Sequence, residues 1–283
     1  MMPISLAYSV DADDAFMFHA LRTGDVDTRG LTFIHRRADT AELNALALAG
    51  ESDVVAISAG AYPAAAANYL LLPHGASVGR GFGPVLVARR PMALAELAGR
   101  RIGIPGLSTT AWLVLRQMQS GLVPVVVPIA PFARIFDALD AGTIDAALLI
   151  HEGRLIYKRR GYARIAEIGE WWLAETGLPL PLGVNVIRRG LGTETIALVS
   201  AVLRDAIAYA LGHRDQLIRV LAAEKRGDPA LAETALIDRY LGMYANEDTR
   251  AMPADARRAV EVLFERAAKA GLLPASCSID WAP

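Results

Sequence analysis

Two segments of the chain, Pro84-Val-Leu-Val-Ala-Arg-Arg90 and Gly183-Val-Asn-Val-Ile-Arg-Arg189, have almost the same sequence. Each has the composition of a short strand that is closed by paired arginines. A chain that passes twice between two lobes does so through two neighbouring strands, and we interpret the two segments as these crossings. The sequence therefore predicts a first lobe of residues 1–84 and 189–283, with a second lobe of residues 85–188 inserted into it.

Short runs rich in β-branched residues alternate with longer amphipathic or alanine-rich runs along the whole chain. This alternation is typical of βαβ units around mostly parallel sheets. Strands are predicted at residues 4–8, 31–36, 53–57, 84–88, 101–104, 124–128, 145–150 and 183–187. Helices are predicted between them, for example at 14–23, 109–120 and 193–211. The predicted fold class is α/β, two-lobed, with a ligand cleft at the carboxyl ends of the strands.

The composition points to a small-molecule partner. The 283 residues are 53% hydrophobic, which is enough for a sizeable core. Lys and Arg number 29 and Asp and Glu 30, so the formal charge of −1 provides no field that would attract nucleic acid or an anionic membrane. The single cysteine, Cys277, excludes an intrachain disulfide framework and a cysteine-rich metal site.

The sequence predicts a cytoplasmic protein that does not cross a membrane. Its longest apolar stretch, residues 121–132, is interrupted by three prolines and is shorter than the roughly 18 to 20 residues that a membrane span needs. The first residues, MMPISLAYSVDADD, have no basic region and carry acids where a signal peptidase would need small residues. The oligomeric state is not predicted.

Hydroxyl residues open a predicted helix in Arg101-Ile-Gly-Ile-Pro-Gly-Leu-Ser-Thr-Thr-Ala111. The free N–H groups and the dipole of a helix N-terminus attract a carboxylate or phosphate, and Thr109 and Thr110 could add hydrogen bonds to it. The alternative is a simple N-cap, for which Ser and Thr are favoured in any helix.

A histidine follows the predicted strand in Asp145-Ala-Ala-Leu-Leu-Ile-His151. At the carboxyl end of a strand it would face the cleft, and a side chain that titrates near neutral pH suits a general base. The alternative is a hydrogen-bonded structural histidine. The other four histidines show no metal-ligand spacing to one another or to Cys277, and we predict no metal site.

Two more loops follow predicted strands. Ala56, Ile57 and Ser58 end one strand among small residues, where a ligand can approach the backbone. The first loop, from Ser9 to Asp14, places acids at a helix start, where they could cap the helix or contact a ligand.

Four segments occur in order along the chain, and the first and second are Gly79-Arg-Gly-Phe-Gly-Pro84 and Ile104-Pro-Gly-Leu-Ser-Thr-Thr-Ala111. The third and fourth are Leu149-Ile-His-Glu-Gly-Arg154 and Trp171-Trp-Leu-Ala-Glu-Thr-Gly-Leu-Pro-Leu-Pro-Leu-Gly183. Taken together, they resemble the 1,4-dihydroxy-6-naphthoate synthase family of the futalosine route to menaquinone.

The resemblance implies a type II periplasmic-binding-protein-like fold that serves as a cytoplasmic enzyme. It implies a lyase that cleaves cyclic dehypoxanthinyl futalosine, a small molecule with a carboxylate, to 1,4-dihydroxy-6-naphthoate and dihydroxyacetone without a cofactor. The proposed base of the family falls on His151, its Thr-Thr pair on Thr109 and Thr110, and its strand-end loop on residues 56–58. We expect Ser9, Asp14 and Arg154 to contact the substrate as well.

Two loops depart from the family pattern. Family members usually carry Lys-Leu-Ser at residues 56–58, and Ser-Pro-Cys-Pro-Asn-Asp-Thr in place of Ser9-Val-Asp-Ala-Asp-Asp-Ala15. The departures remove a cation that could pair with the substrate carboxylate, and they add negative potential. We therefore expect weak binding of the ordinary substrate unless Arg154 or Arg80 supplies the missing charge.

Other functions remain compatible with the sequence. A two-lobed fold also serves solute-binding proteins of transport systems, and fold alone does not distinguish them from enzymes. A paralogous lyase could act on a related cyclic substrate, and a chorismate-dehydratase-like lyase would share the architecture. The His-Glu-x-Arg and Trp-Trp segments argue against the last of these.

Overall fold

The fold is described by a computed structural model for residues 3–129, 131–224, 228–274 and 277–283. The strands are β1 Ile4–Ser9, β2 Phe33–Ala38, β3 Val54–Ser58, β4 Tyr69–Leu71, β5 Ser77–Gly79, β6 Val85–Ala88, β7 Arg101–Ile104, β8 Val123–Val126, β9 Ala146–Leu149, β10 Ala163–Glu167 and β11 Leu180–Arg188. The α-helices are α1 Ala12–Met17, α2 His19–Thr23, α3 Thr40–Ala49, α4 Tyr62–Ala65, α5 Thr110–Met118, α6 Ala133–Asp140, α7 Gly153–Ile156, α8 Ile168–Thr176, α9 Thr193–Gly212, α10 Arg214–Ala223, α11 Thr234–Tyr244, α12 Glu247–Arg250 and α13 Ala254–Lys269. Short 3₁₀ turns occur at Ala59–Ala61, Leu94–Leu97, Arg189–Leu191 and Pro229–Ala232.

The strands form two sheets with mixed strand directions. The order is β2-β1-β3-β11-β4 in the first sheet, where β5 also pairs with β11, and β10-β6-β9-β7-β8 in the second. In the first sheet β1 is parallel to β2 and β3, and in the second β7 is parallel to β8 and β9. Because parallel strands end at the same edge of a sheet, the loops that follow β1 and β3 meet at one edge, as do those that follow β7 and β9.

The segment that carries the chain from the first sheet to the second packs against the start of α8. The chain leaves the first sheet after β5 and enters the second at β6, through residues 80–84. The amide of Ile168, at the start of α8, donates to the carbonyl of Pro84 over 2.9 Å. A Cβ atom on Gly169 would lie 2.2 Å from the backbone oxygen of Phe82, so this close approach requires glycine.

The pairing of β11 differs from the predicted boundary of the second lobe. Residues 180–188 were assigned to that lobe, but β11 pairs with β3, β4 and β5 of the first sheet. The chain has therefore returned to the first sheet by Leu180, and the second arginine pair lies beyond the crossing. Composition describes a strand, but it does not show which sheet the strand joins. The division into two lobes itself stays a prediction.

All eight predicted strands are present, with ends shifted by a few residues. Three short strands, β4, β5 and β10, were not predicted because their lengths of three to five residues leave little periodic pattern. The predicted helix at 14–23 is divided by Phe18 into α1 and α2.

Helix α9 has the length and the apolar composition of a membrane-spanning helix. The continuous apolar stretches of the sequence did not indicate it. Its side chains Ile196, Val199 and Leu203 are buried against β1 residues, among them Leu6 and Tyr8, in one core cluster. Core helices of soluble proteins pass the same test, so the helix is weak evidence for a membrane span.

Candidate active site

All residues that the sequence assigned to the site line one cavity, to which both sheets contribute. They are Ser9, Asp14, Ala56, Ile57, Ser58, Thr109, Thr110, His151 and Arg154. Ser9 ends β1, Asp14 lies in the helix that follows it, and residues 56–58 end β3, whereas the segments after β7 and β9 bring the others. The strand-end argument therefore located the cavity, while the role of each residue stays a prediction.

His151 has an unusual backbone conformation. Its φ angle is +48°, in the left-handed region that non-glycine residues rarely adopt. Strand β9 ends at Leu149 and the short helix α7 starts at Gly153, so His151 lies at the sharp turn between them. Backbone strain of this kind concentrates at functional sites, because the surrounding structure must hold it in place.

Buried polar groups hold the imidazole of His151. Its Nδ1 forms an ion pair with the carboxylate of Asp11 and lies 3.4 Å from the Tyr240 hydroxyl. Its Nε2 lies 3.0 Å from the hydroxyl of Thr40. The side chain of Asp11 is 2% exposed, whereas that of His151 is 18% exposed. The histidine is therefore the member of the pair that a ligand can reach.

The ion pair sets the protonation state of His151. Burial by itself lowers the pKa of the imidazole, but the adjacent Asp11 carboxylate outweighs this effect and raises the pKa to about 9. Burial raises the pKa of Asp11, and the charge of His151 more than compensates, so that the pKa lies below its ordinary value. At neutral pH the pair is thus an imidazolium and a carboxylate.

The two other aspartates of the first loop are buried and accept hydrogen bonds. Asp13 accepts from the hydroxyls of Ser77 over 2.7 Å and Tyr240 over 3.2 Å. Burial, together with the charges of Asp11 and Asp14, raises the pKa of Asp13 well above its ordinary value. We refer to Asp11, Asp13, Asp14, His151 and Tyr240 as the charged wall of the cavity.

Asp14 fixes the backbone of the first loop. Its carboxylate accepts from the amide of Ser9 over 2.7 Å, and burial and Asp11 raise its pKa to about 7. The sequence predicted that acidic side chains cap α1. In the structure Asp11 is the N-cap residue, but its side chain makes no capping hydrogen bond. The acids face the cavity because His151 attracts Asp11.

Asp11, Asp13 and His151 could also hold a metal ion, since one ligand atom from each lies within 4.8 Å of the other two. We predicted no metal site because the histidines lack metal-ligand spacing. The fold, however, brings Asp11, Asp13 and His151 together from segments that are far apart in the sequence. A cation would have to displace protons from Asp13 and from His151, because both pKa values are raised.

The opposite side of the cavity, which we call the neutral wall, consists of Ala56, Ile57, Ser58, Thr109 and Thr110. Thr109 is the N-cap of α5: its hydroxyl accepts from the amide of Trp112 over 3.3 Å. The hydroxyl of Thr110 accepts from the amide of Gly60 over 2.9 Å and donates to the carbonyl of Leu182 over 2.8 Å.

Both threonine hydroxyls are thus used within the protein, and the capping alternative describes Thr109. The first amides of a helix have no intrahelical acceptor. The amide of Trp112 is bonded to Thr109, whereas the amides of Thr110 and Ala111, two residues that line the cavity, have no acceptor among the described residues.

Ser58 is held by an asparagine that the sequence did not single out. The amide of Ser58 donates to Asn44 Oδ1 over 2.9 Å, and Asn44 Nδ2 donates to the hydroxyls of Ser58 and Ser108 over 3.3 and 3.0 Å. Asn44 lies within helix α3 and is fully buried. A polar residue in an apolar helix face was the one signal that could have indicated it.

Comparison with known proteins identifies the family. Residues 4–269 match the family described as menaquinone biosynthesis. This chain belongs to the menaquinone-biosynthesis family. A 1,4-dihydroxy-6-naphthoate synthase of Streptomyces coelicolor is 35% identical over 279 residues, which cover 96% of this chain and 95% of the relative. A protein of the same name from Thermus thermophilus is 34% identical over 272 residues, 96% of each chain.

Solved structures agree with this assignment. A crystal structure of an Archaeoglobus fulgidus protein is 38% identical to this family member, with a TM-score of 0.88 and coverage of 96% and 98% of the two chains. The alkanesulfonate-binding protein of Xanthomonas axonopodis, bound to MOPS, has a TM-score of 0.71 at 17% identity, covering 96% of this chain and 94% of its own. A Candida albicans protein with the generic periplasmic binding protein fold has a TM-score of 0.66 at 13% identity, over 98% and 92% of the chains. The fold is therefore periplasmic-binding-protein-like.

Neither arginine offers this menaquinone-biosynthesis protein a free cation in the cavity. Arg154 is 8% exposed, donates to Glu167 over 2.7 Å and to the carbonyl of Gly83 over 2.5 Å. Arg80 pairs at the surface with Asp248 and Asp255 and does not line the cavity. Both guanidinium groups are thus already paired with carboxylates, and contact between Arg154, which lines the cavity, and the substrate stays a prediction.

Several cavity residues of this family member were not predicted from the sequence. Asp11 and Asp13 were expected to cap a helix. Tyr240 lies on α11, which is far along the sequence from the strand-end loops. Ser77 and Asn185 lie on β5 and β11 and line the same cavity. Their positions depend on packing between distant segments, which leaves no local pattern.

Proposed function

We propose that this chain is a lyase that cleaves cyclic dehypoxanthinyl futalosine to 1,4-dihydroxy-6-naphthoate and dihydroxyacetone. The observation that carries the proposal is the imidazole of His151, which Asp11 holds and which is accessible from the cavity. The names of two relatives that match 96% of the chain support the naphthoate product.

His151 acts as the general base of the proposed reaction. In its deprotonated form, which the raised pKa of about 9 makes the minor form at neutral pH, it accepts a proton from the substrate beside the carbon–carbon bond that breaks, and Asp11 stabilises the imidazolium that forms. The electron pair of the broken bond stays on one fragment, and the imidazolium returns the proton. Because no electrons leave the substrate, the proposal needs no redox cofactor.

The substrate carboxylate binds at the neutral wall. The amides of Thr110 and Ala111 open helix α5, where N–H groups and the helix dipole attract anions. The charged wall repels an anion less than its three aspartates suggest, because His151 neutralises Asp11 and the raised pKa of Asp13 favours its uncharged form. Because Ala56 contributes no charge, we propose that backbone amides bind the carboxylate.

The proposed enzyme has two lobes that close on a small molecule, and the chain passes between them at residues 80–84 and 177–179. The proposed function involves neither nucleic acid nor a membrane. It also includes a cytoplasmic location, which the relatives' biosynthetic names and the single cysteine support.

The test is turnover. We expect the purified protein to release 1,4-dihydroxy-6-naphthoate and dihydroxyacetone in equal amounts from cyclic dehypoxanthinyl futalosine, as followed by chromatography. Binding without turnover, measured by calorimetry, would instead favour a solute-binding protein, the function of the alkanesulfonate-binding protein that shares the fold. Turnover of a related cyclic compound alone would favour a paralogous lyase.

A further inference from the structure

Asn185 is a buried cavity residue whose side chain has no hydrogen-bond partner among the described residues. It is 1% exposed, and neither Oδ1 nor Nδ2 contacts a donor or acceptor. Buried amides in folded proteins are almost always paired, because an unpaired one loses its bonds to water without replacement. The folded chain thus keeps two polar atoms beside the cavity that its own groups do not satisfy.

Asn44 shows what a structural asparagine looks like in the same protein. It is also fully buried, but its Oδ1 accepts from the amide of Ser58 and its Nδ2 donates to two serine hydroxyls. The two residues have the same chemistry and burial, and they differ in whether the protein uses their hydrogen bonds. This difference separates a residue that holds the fold from one that is available to a ligand.

The neighbours of Asn185 hold its amide without bonding to it. A Cβ atom on Gly75 would lie 1.9 Å from Asn185 Nδ2, so the glycine backbone packs directly against the amide. Ala56 is the cross-strand partner of Asn185 on β3, and its methyl group offers no polar atom. Gly75, Ala56 and Asn185 all line the cavity, so a ligand in the cavity is the partner that we infer for the buried amide.

We propose that Asn185 binds the substrate through a neutral group that both donates and accepts, such as a hydroxyl or a carbonyl beside a hydroxyl. The amide presents one acceptor and two donor hydrogens next to each other. A carboxylate would satisfy only the donors and would face the amide oxygen with like partial charge. The inference rests on the proposed function, in which the sugar-derived part of the substrate supplies such hydroxyls.

The experiment compares Asn185→Leu and Asn185→Asp with the unaltered protein in turnover of cyclic dehypoxanthinyl futalosine. Leucine removes both polar atoms at similar volume, and aspartate removes the donors. We expect KM to rise about tenfold or more in each, the effect of losing one or two hydrogen bonds that the ligand alone completes. We expect the melting temperature of ligand-free Asn185→Leu to be no lower than that of the unaltered protein.

The control is Asn44→Leu, which leaves a serine amide and two hydroxyls unpaired and is expected to lower the melting temperature. An unchanged KM in Asn185→Leu would overturn the proposal, whether or not its melting temperature falls as in Asn44→Leu. Absence of turnover by the unaltered protein overturns the proposed function, and with it the substrate assigned to Asn185. Turnover with an unchanged KM overturns only the role of Asn185.

Discussion

The charged and neutral walls face the same cavity, but they use their polar groups differently. On the charged wall, the pKa values of His151 and Asp14 are raised to about 9 and about 7, so both groups titrate at or above neutral pH. On the neutral wall, the hydroxyls of Thr109 and Thr110 are bonded to backbone groups and carry no titratable charge. The first wall therefore has the groups that the proposed proton transfer needs, whereas the second has hydrogen bonds that fix its geometry.

Each wall also joins the two sheets. Asp11 follows β1 of the first sheet and pairs with His151 after β9 of the second. On the other side, the amide of Gly60 donates to Thr110, which follows β7. Changes on the charged wall should therefore alter rate and pH dependence, whereas changes on the neutral wall should alter affinity and stability.

The largest effect is expected from His151→Ala. Loss of a general base should lower kcat by about 2 to 4 orders of magnitude and leave KM nearly unchanged, because the base acts in the transition state. Steady-state kinetics with cyclic dehypoxanthinyl futalosine measures both constants. A kcat equal to that of the unaltered protein contradicts the assignment of the base.

His151→Gly is the matched control for the backbone. Glycine adopts the φ angle of +48° without strain, whereas alanine does not, so the glycine variant should be the more stable of the two and equally inactive. If the two variants differ in kcat rather than in stability, backbone strain and not the imidazole explains the loss.

Asp11→Asn should change the pH dependence of turnover. Without the carboxylate, burial is the largest influence left on His151 and lowers its pKa from about 9, while Asp13 and Glu152 still raise it. The acidic limb of the profile of kcat/KM against pH should therefore move to lower pH. An unmoved limb would show that another group titrates in the profile.

Stability provides an independent measurement of the same pair. Because the pKa of folded His151 is raised, the ion pair stabilises the protein below the unfolded pKa of about 6.5, and this contribution is lost as the pH rises through about 9. The melting temperature of the unaltered protein should fall over this interval. In Asp11→Asn the fall should disappear, and a persistent fall would assign it to other groups.

Ala56→Lys tests whether the neutral wall lacks a cation. A charge-assisted hydrogen bond to the substrate carboxylate is worth roughly 1.5 to 3 kcal/mol, so binding should tighten by about ten- to a hundredfold. Calorimetric titration with substrate and with a neutral amide analogue measures the effect. Weaker binding in the variant would show that the backbone amides of α5 already hold the carboxylate and that the lysine only obstructs them.

The smallest effect is expected from Thr109→Ala, which removes the N-cap of α5. Loss of a cap costs about 1 kcal/mol in the free energy of unfolding. Chemical denaturation should show this loss, while kcat stays within a few fold because the hydroxyl is bonded to Trp112. A fall in kcat as large as that of His151→Ala would place Thr109 in the chemistry and contradict the division between the walls.

Strand-end positions were predictable from the sequence because they depend on local pattern. Periodicity located β1, β3, β7 and β9, and the carboxyl ends of strands in such sheets form binding sites. That rule was sufficient to select cavity residues as far apart as Ser9 and His151. The motifs alone were also sufficient to recognise the resemblance to a known family. The match over residues 4–269 confirms that family.

The roles of polar side chains within the cavity were harder to predict from the sequence than the positions of the strand ends. The sequence indicated capping for Asp11, whereas the fold pairs it with His151. For Arg154 the sequence predicted ligand contact, which stays a prediction, and gave no sign of its ion pair with Glu167. Both ion pairs join segments from different parts of the chain. Charge pairing depends on distance in space, and sequence separation contains almost no information about it.

The sequence by itself determined the α/β class, the strand ends that line the cavity, the histidine at one of them and the family. The tertiary structure alone places β11 in the first sheet, brings Asp11 to His151 so that the pKa of His151 is raised, and leaves the Asn185 amide without a hydrogen-bond partner among the described residues. The physical reason is one of range. Backbone propensity and hydrophobic periodicity act between near neighbours along the chain, whereas strand pairing, desolvation and Coulomb interactions act between groups that only folding brings together.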